Sequence, residues 1–196
     1  MNILITGANG QLGNEMRILS ARHAQHTYFF TDVEELDITS REAVNRFVKD
    51  NAIDIIVNCA AYTNVDKAES DEVLAHKINA LAVENLGISG ARVIHVSTDY
   101  VFSGDACVPY EETDKVAPRT AYGRTKLAGE ELLQVVCPEA IIIRTAWLYS
   151  TFGNNFVKTM LRLGQEREAL GVVFDQIGSP TYAADLAMAI FAAIEA

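Results

Sequence analysis

Residues 3–13, ILITGANGQLG, contain three glycines directly after a short apolar run. The apolar run predicts a strand over residues 2–6, and the residues that follow predict a helix from position 11. Gly7, Gly10 and Gly13 would allow a tight turn and bring backbone N–H groups and a helix N-terminus close to an anion. We interpret the stretch as a phosphate-binding loop, although its G-x-x-G-x-x-G spacing differs from the G-x-G-x-x-G fingerprint. A tight turn without a ligand is the alternative.

The rest of the chain repeats this alternation of strand and helix. Short β-branched runs predict strands at residues 27–31, 53–58, 92–97 and 140–144. Helical periodicity lies between them at residues 11–22, 40–51, 65–87 and 121–136. Runs such as IDIIVN are apolar throughout, as expected where helices cover both faces of a sheet. We predict an α/β fold, a Rossmann-like, doubly wound parallel sheet with helices on both faces, and ligands beyond the carboxyl ends of its strands.

The pattern loosens after residue 145. A helix at 156–167, a short strand at 171–174 and a final helix at 183–196 are predicted. The chain ends inside that apolar helix, so we expect a truncated chain. We divide it into a dinucleotide-binding Rossmann-like domain, residues 1–145, and the start of a substrate-binding portion, residues 146–196, whose C-terminal segment is largely missing.

Composition excludes several classes of function. A formal net charge of −10 argues against nucleic acid, because duplex binding needs a basic surface. No apolar run approaches the ~20 residues that span a bilayer, so we expect no membrane association and a cytoplasmic protein. Three cysteines and four scattered histidines show no metal-ligand spacing, so no metal site is predicted.

Acidic and small residues after the second and third strands are candidates for cofactor contact. Asp32 ends the second strand 22 residues after Gly10, near the distance at which an acid meets an adenosine ribose. A carboxylate there would accept ribose hydroxyls and repel a 2′-phosphate, so we favour NADH over NADPH; a loop or cap acid is the alternative. Asp37 and Ile38 could contact the adenine, or Asp37 could cap the next helix. The small residues at 58–63 would let a cofactor approach the backbone, or simply pack.

Three further residues carry candidate chemistry. Thr98 lies where the fourth strand ends, and Tyr122 and Lys126 are four residues apart on one helix face. A tyrosine with a pKa of ~10 is a weak acid–base group at neutral pH unless a cation favours its phenolate. A lysine at ~4 Å in an effective dielectric of ~20 contributes about 4 kcal/mol, enough to lower that pKa by up to three units. An exposed helical pair is the alternative.

These motifs together resemble the extended short-chain dehydrogenase/reductase superfamily. Within it, NCAAYTNVDKAE, STDYVFSGD, AYGRTKLAGE and FDQIGSPTYAADLA resemble the dTDP-4-dehydrorhamnose reductase family, over essentially all 196 residues. The resemblance implies hydride transfer from NADH or NADPH to C4 of a dTDP-linked 4-keto-6-deoxy sugar, here dTDP-4-dehydro-L-rhamnose. Tyr122 would be the proton donor, Lys126 would lower its pKa and hold the nicotinamide ribose, and Thr98 would bond the sugar oxygen.

The resemblance also assigns binding residues and suggests assembly. It implies substrate contacts for Thr98, Asp99 and Trp147, although a lone tryptophan after an apolar strand is more often a core residue. It implies dinucleotide contacts for Gly7, Gly10, Gln11, Leu12, Gly13, Asp32, Asp37, Ile38, Ala61, Tyr62, Thr63, Tyr122 and Lys126. Some members use a metal-assisted homodimer contact, but no Mg²⁺ site can be identified in this chain. A sugar-nucleotide epimerase or dehydratase and a non-catalytic dinucleotide-binding regulatory subunit are the alternative functions.

Overall fold

The fold is built on one parallel sheet whose strands follow the predicted runs closely. The computed structural model describes residues 1–196. Five strands pair in the order β2-β1-β3-β4-β5, all parallel. They are β1 (Asn2–Thr6), β2 (Thr27–Thr31), β3 (Ile55–Asn58), β4 (Arg92–Thr98) and β5 (Ile141–Thr145). Since the strand order reverses beside β1, a crevice is expected between β1 and β3 at their carboxyl ends.

Helices cover both faces of the sheet, which confirms the doubly wound prediction. The main helices are α1 (Gln11–Ser20), α2 (Arg41–Asp50), α5 (Ala82–Ile88), α6 (Ala121–Val136), α7 (Phe156–Glu166) and α8 (Ala183–Glu195). Alternate residues of β1 enter two separate cores: Ile3 and Ile5 pack with α1 and α8, whereas Leu4 packs with α2, α5 and α6. None of the helices is both long and apolar enough to cross a bilayer.

The predicted helix over residues 65–87 is wrong in detail. The structure breaks it into α3 (Val65–Ala68), α4 (Glu72–His76), a π-helical turn (Lys77–Leu81) and α5. The π-helical turn lies directly against α6: a Cβ on Gly129 of α6 would lie 2.0 Å from the carbonyl oxygen of Asn79, so the two backbones are in contact. Periodicity in one segment cannot reveal such a contact with a distant helix.

The segment after β5 differs most from the predictions. The strand predicted at residues 171–174 does not form: these residues are exposed and have no regular secondary structure. Instead β6 (Leu148–Tyr149) and β7 (Thr181–Tyr182) form a small parallel pair that was not predicted. The boundary at residue 145 stays a prediction, but α8, placed beyond it, packs into the sheet core, where Phe191 is 1% exposed.

Candidate active site

One cavity of about 1190 Å³ lies beyond the carboxyl ends of the five strands. Its lining comes from the turn after β1, the ends of β2 to β5, the start of α6 and residues 147–180. It gathers fourteen of the predicted site residues: Gly7, Gly10, Gln11, Leu12, Asp32, Asp37, Ile38, Ala61, Thr63, Thr98, Asp99, Tyr122, Lys126 and Trp147. The other two, Gly13 and Tyr62, lie outside the lining. The roles of all sixteen stay predictions, but most of them share one space.

The glycine turn forms an open helix N-terminus on this cavity. Gly7 has φ +64°, and a Cβ there would lie 2.7 Å from the backbone of Ala60 at the end of β3. Helix α1 then starts after Gly10 with no side-chain cap and no acid in its first turn. Its first N–H groups therefore remain available, and the helix dipole favours an anion there. Gly13 serves packing, because its Cβ would lie 2.5 Å from the carbonyl oxygen of Gly7.

The two acids after β2 have different surroundings. The Asp32 carboxylate accepts from the backbone N–H groups of Asn9 (3.2 Å) and Val33 (2.9 Å), and so lies against the glycine turn. The Asp37 carboxylate accepts from the hydroxyl and the N–H of Thr39, which lowers its pKa. Asp37 therefore closes the turn before α2 as well as lining the cavity. Lys126 is the one basic residue in the whole lining.

The loop after β3 is held by a residue that the sequence reading missed. Asn79, in the π-helical turn, accepts from the N–H of Tyr62 (2.8 Å) and donates to its carbonyl oxygen (3.1 Å). The Tyr62 side chain packs against Ala68, Ala75 and Ala121, which explains why it does not line the cavity. Ala61 and Thr63, on either side, do line it.

Helix α6 is fixed at its start and along one face. The Thr120 hydroxyl caps it by accepting from the N–H of Gly123 (3.0 Å), and the Glu69 carboxylate accepts from that of Ala121 (2.7 Å). A Cβ on Gly123 would lie 2.3 Å from the carbonyl oxygen of Tyr100, just after β4. These contacts set the position of Tyr122, which follows Ala121, relative to the end of β4.

Burial dominates the surroundings of both Tyr122 and Lys126. Burial raises the pKa of Tyr122 to about 12, against a smaller lowering by the Thr98 hydroxyl. Lys126 Nζ donates to the carbonyl oxygen of Val96 (2.8 Å) and lies 3.2 Å from His95 Nε2. The net shift of the Tyr122 pKa is thus upward, and the predicted lowering by Lys126 stays a prediction. Tyr122 stays protonated at neutral pH, as a proton donor must.

Thr98 and Asp99 complete the polar end of the cavity. The Thr98 hydroxyl donates to the Asp99 carboxylate (3.1 Å) and accepts from the N–H of Tyr100 (3.2 Å). Burial raises the pKa of Asp99. Ser97 and Thr145, which we did not predict, also line the cavity, and their buried hydroxyls have no partner. Such groups are rare in folded proteins, and these two hydroxyls are free to form hydrogen bonds with a molecule in the cavity.

Trp147 is not a core residue. Its side chain is 45% exposed, its φ is +47°, and it lines the cavity. Positive φ is uncommon outside glycine and costs about 1–3 kcal/mol, which favours a functional reason for the strained conformation. No three His, Cys, Asp or Glu side chains in the structure lie together as a metal site would need.

Comparison with known proteins gives consistent results. The family model described as "RmlD substrate binding domain" matches residues 1–196. The chain is 44% identical over 189 residues to a curated dTDP-4-dehydrorhamnose reductase from Aggregatibacter actinomycetemcomitans, covering 94% of this chain and 64% of that protein. It therefore spans slightly less than two thirds of that relative's length.

Two solved structures are similar over nearly the whole chain. One is a dTDP-4-dehydrorhamnose reductase from Clostridium acetobutylicum, with TM-score 0.96 and 47% identity over 100% of this chain and 70% of the other. The second is the Bacillus anthracis dTDP-4-dehydrorhamnose reductase in complex with NADP, with TM-score 0.95 and 44% identity over 99% and 70%.

Proposed function

The chain belongs to the RmlD family of dTDP-4-dehydrorhamnose reductases, and we propose that it carries the dinucleotide site and proton donor of an NAD(P)H-dependent reductase. The substrate would be dTDP-4-dehydro-L-rhamnose, whose C4 ketone becomes the alcohol of dTDP-L-rhamnose. The observation that carries the proposal is the shared cavity: the open N-terminus of α1 and the Thr98 and Tyr122 hydroxyl groups line the same space.

The residues present fit a nicotinamide dinucleotide. The uncapped start of α1 suits a pyrophosphate, and Gly7 leaves no Cβ in the turn that precedes it. The unpartnered hydroxyls of Ser97 and Thr145 offer further hydrogen bonds in the same cavity. When bound, the reduced nicotinamide supplies the hydride.

The protein's own contribution is to hold the ketone and give it a proton. Tyr122, with a pKa of about 12, is protonated at working pH and would donate to the oxygen that becomes an alkoxide as hydride arrives at C4. The Thr98 hydroxyl would stabilise the same oxygen. The reaction consumes NAD(P)H, the ketone and one proton, and it yields NAD(P)+ and the secondary alcohol.

We also propose that NADH binds more tightly than NADPH. Asp32 lies against the glycine turn, and the lining has no basic residue near it to pair with a 2′-phosphate. The NADP complex of the Bacillus anthracis relative supports use of nicotinamide dinucleotides as a class. A homodimer, a Mg²⁺ ion at its contact, the cytoplasmic location and the substrate-contact roles of Asp99 and Trp147 stay predictions.

Turnover by the chain and by a Tyr122→Phe variant tests the reductase proposal. With NADH, NADPH and dTDP-4-dehydro-L-rhamnose, the wild type should oxidise the dinucleotide, and the variant should lose about 10²–10⁴-fold in rate while binding NADH nearly unchanged. Tightly copurifying dinucleotide with no net oxidation would instead favour an epimerase or dehydratase. Dinucleotide binding with equal turnover in both proteins would refute Tyr122 as proton donor.

A further inference from the structure

A buried chain of polar side chains ends on Lys126. Thr6, Asn58, His95 and Lys126 are all at most 1% exposed. The Thr6 hydroxyl donates to Asn58 Oδ1 (2.7 Å), Asn58 Nδ2 contacts His95 Nδ1 (2.9 Å), and His95 Nε2 contacts Lys126 Nζ (3.2 Å). The chain runs from β1 through β3 and β4 to α6, and the proposed reductase mechanism does not use its inner members.

A backbone group determines the direction of these hydrogen bonds. The N–H of Ala60 donates to Asn58 Oδ1 (3.1 Å), and a backbone N–H can only donate. The Asn58 amide is therefore oriented with its oxygen toward Ala60 and its NH₂ group toward His95. His95 Nδ1 must accept that hydrogen bond, so it carries no proton.

The orientation of the Asn58 amide then determines whether His95 presents a donor or an acceptor to Lys126. Burial holds the pKa of His95 well below its ordinary value, so the imidazole is neutral. A neutral imidazole without a proton on Nδ1 carries it on Nε2. The Nε2–H points at Lys126 Nζ, and only an uncharged amine can accept from it, because an ammonium group has no lone pair.

Glu130 is the main group that favours the ammonium form of Lys126, and burial outweighs its influence. Glu130 on the same helix is paired with Arg144 of β5 at 2.7 Å. The Cys59 thiol after β3 has its pKa raised to about 12 by burial and stays uncharged, as does Tyr122. The remaining acid in this part of the cavity, Asp99, has its pKa raised by burial. Burial accordingly lowers the pKa of Lys126 to about 8.

We propose that His95 is a positioning residue for Lys126: held by Asn58 and Ala60 as the Nε2–H tautomer, it donates to Nζ and favours the amine form of the lysine. Its significance for catalysis rests on the proposed reductase function, but the protonation preference itself does not. Lys126 would thereby be a group in the dinucleotide site that gains or loses a proton close to neutral pH.

Nuclear magnetic resonance on the full chain without dinucleotide or sugar tests this proposal. A long-range ¹H–¹⁵N spectrum should show His95 with its proton on Nε2, and a proton on Nδ1 would overturn the proposal. This measurement needs no variant and no activity, so its failure is distinct from failure of the reductase proposal.

A titration of ¹⁵N-labelled lysine supplies the second test. His95→Gln can turn its amide oxygen toward Nζ and accept from the ammonium group, so the Lys126 midpoint should rise by at least one pH unit, a tenfold gain in proton affinity. His76→Gln, on α4 and away from the cavity, should leave the midpoint unchanged. An unchanged midpoint in folded His95→Gln would overturn the proposal.

Asn58→Asp is the alternative variant for the same measurements if His95→Gln does not fold. The carboxylate keeps an oxygen for Ala60 and Thr6 but presents the second oxygen to His95, so it should move the imidazole proton to Nδ1 and let Nε2 accept from the ammonium group. A raised Lys126 midpoint together with this tautomer change supports the proposal. A retained Nε2–H tautomer in this variant would contradict it.

Discussion

Two sets of close backbone contacts, both made possible by glycine, hold the two sides of the cavity. In the glycine turn, Gly7 lies against Ala60 and Gly13 against the Gly7 carbonyl oxygen. Along α6, Gly123 lies against the Tyr100 carbonyl oxygen and Gly129 against that of Asn79. The first set shapes an anion site at the start of α1, whereas the second carries Tyr122 and Lys126 against the end of β4 and the π-helical turn.

The two sets of contacts depend on different properties of glycine. The glycine turn is a short loop whose shape depends on backbone conformation, since Gly7 has φ +64°. The α6 contact needs no unusual backbone conformation, and it depends on the absence of side-chain volume between two packed elements. A side chain added in the glycine turn should therefore destabilise the protein partly through backbone strain, whereas one added along α6 should do so through overpacking.

Gly129→Ala should have the largest effect on stability. Its Cβ would lie 2.0 Å from the Asn79 carbonyl oxygen, so α6 or the π-helical turn must move. We expect a loss of about 3 kcal/mol in the free energy of unfolding, measured in urea. Gly164→Ala is the control, because nothing lies within 4 Å of it in α7. It should gain up to about 1 kcal/mol from helix propensity. Equal stabilities of the two variants would mean that α6 is not tightly packed there.

Gly7→Ala tests the other contact. The substitution combines a left-handed backbone, worth about 1–2 kcal/mol, with a Cβ at 2.7 Å from Ala60, so we expect about 2–3 kcal/mol of destabilisation and weaker dinucleotide binding. Gly90→Ala separates the two causes, since Gly90 has φ +89° but no atom within 4 Å. If both variants lose the same stability, packing against Ala60 contributes nothing.

The same contrast explains how much the sequence could predict. Strand β1, the glycine turn and the start of α1 were predicted because periodicity, glycine and helix start all lie within adjacent residues. Asn79 was missed because its partners are Tyr62 and Thr125, which no local pattern connects with it. His95 was missed for a related reason: its partners come from β3 and α6, so only the assembled sheet reveals them.

Burial of the Lys126 charge on α6 has a smaller effect on the free energy of unfolding, and this effect depends on pH. The Lys126 pKa falls from 10.5 to about 8 on folding, so the folded state binds the proton more weakly than the unfolded state. The free energy of unfolding therefore decreases by up to about 3 kcal/mol as pH falls from 10.5 through 8, and stays constant below.

Lys126→Met should remove that decrease. Allowing for the unpaired Val96 carbonyl oxygen, we expect the variant to be about 2 kcal/mol more stable than wild type at pH 7 and to lose turnover. The stability difference should shrink as pH rises toward 10.5. Urea unfolding at several pH values measures it. A variant less stable than wild type at pH 7 would show that the buried lysine contributes to stability instead of costing it.

Asp32→Asn should have the smallest effect, on dinucleotide choice at the glycine turn. Removing the carboxylate charge removes its repulsion of a 2′-phosphate, so the NADPH-to-NADH affinity ratio, measured by calorimetry, should rise about tenfold, or about 1.4 kcal/mol. Asp37→Asn is the matched control: its carboxylate is occupied by Thr39, so the ratio should change less. Asp32 also accepts from the N–H groups of Asn9 and Val33. If the ratio does not move, these loop hydrogen bonds are the whole role of Asp32, and selectivity must come from elsewhere in the cavity.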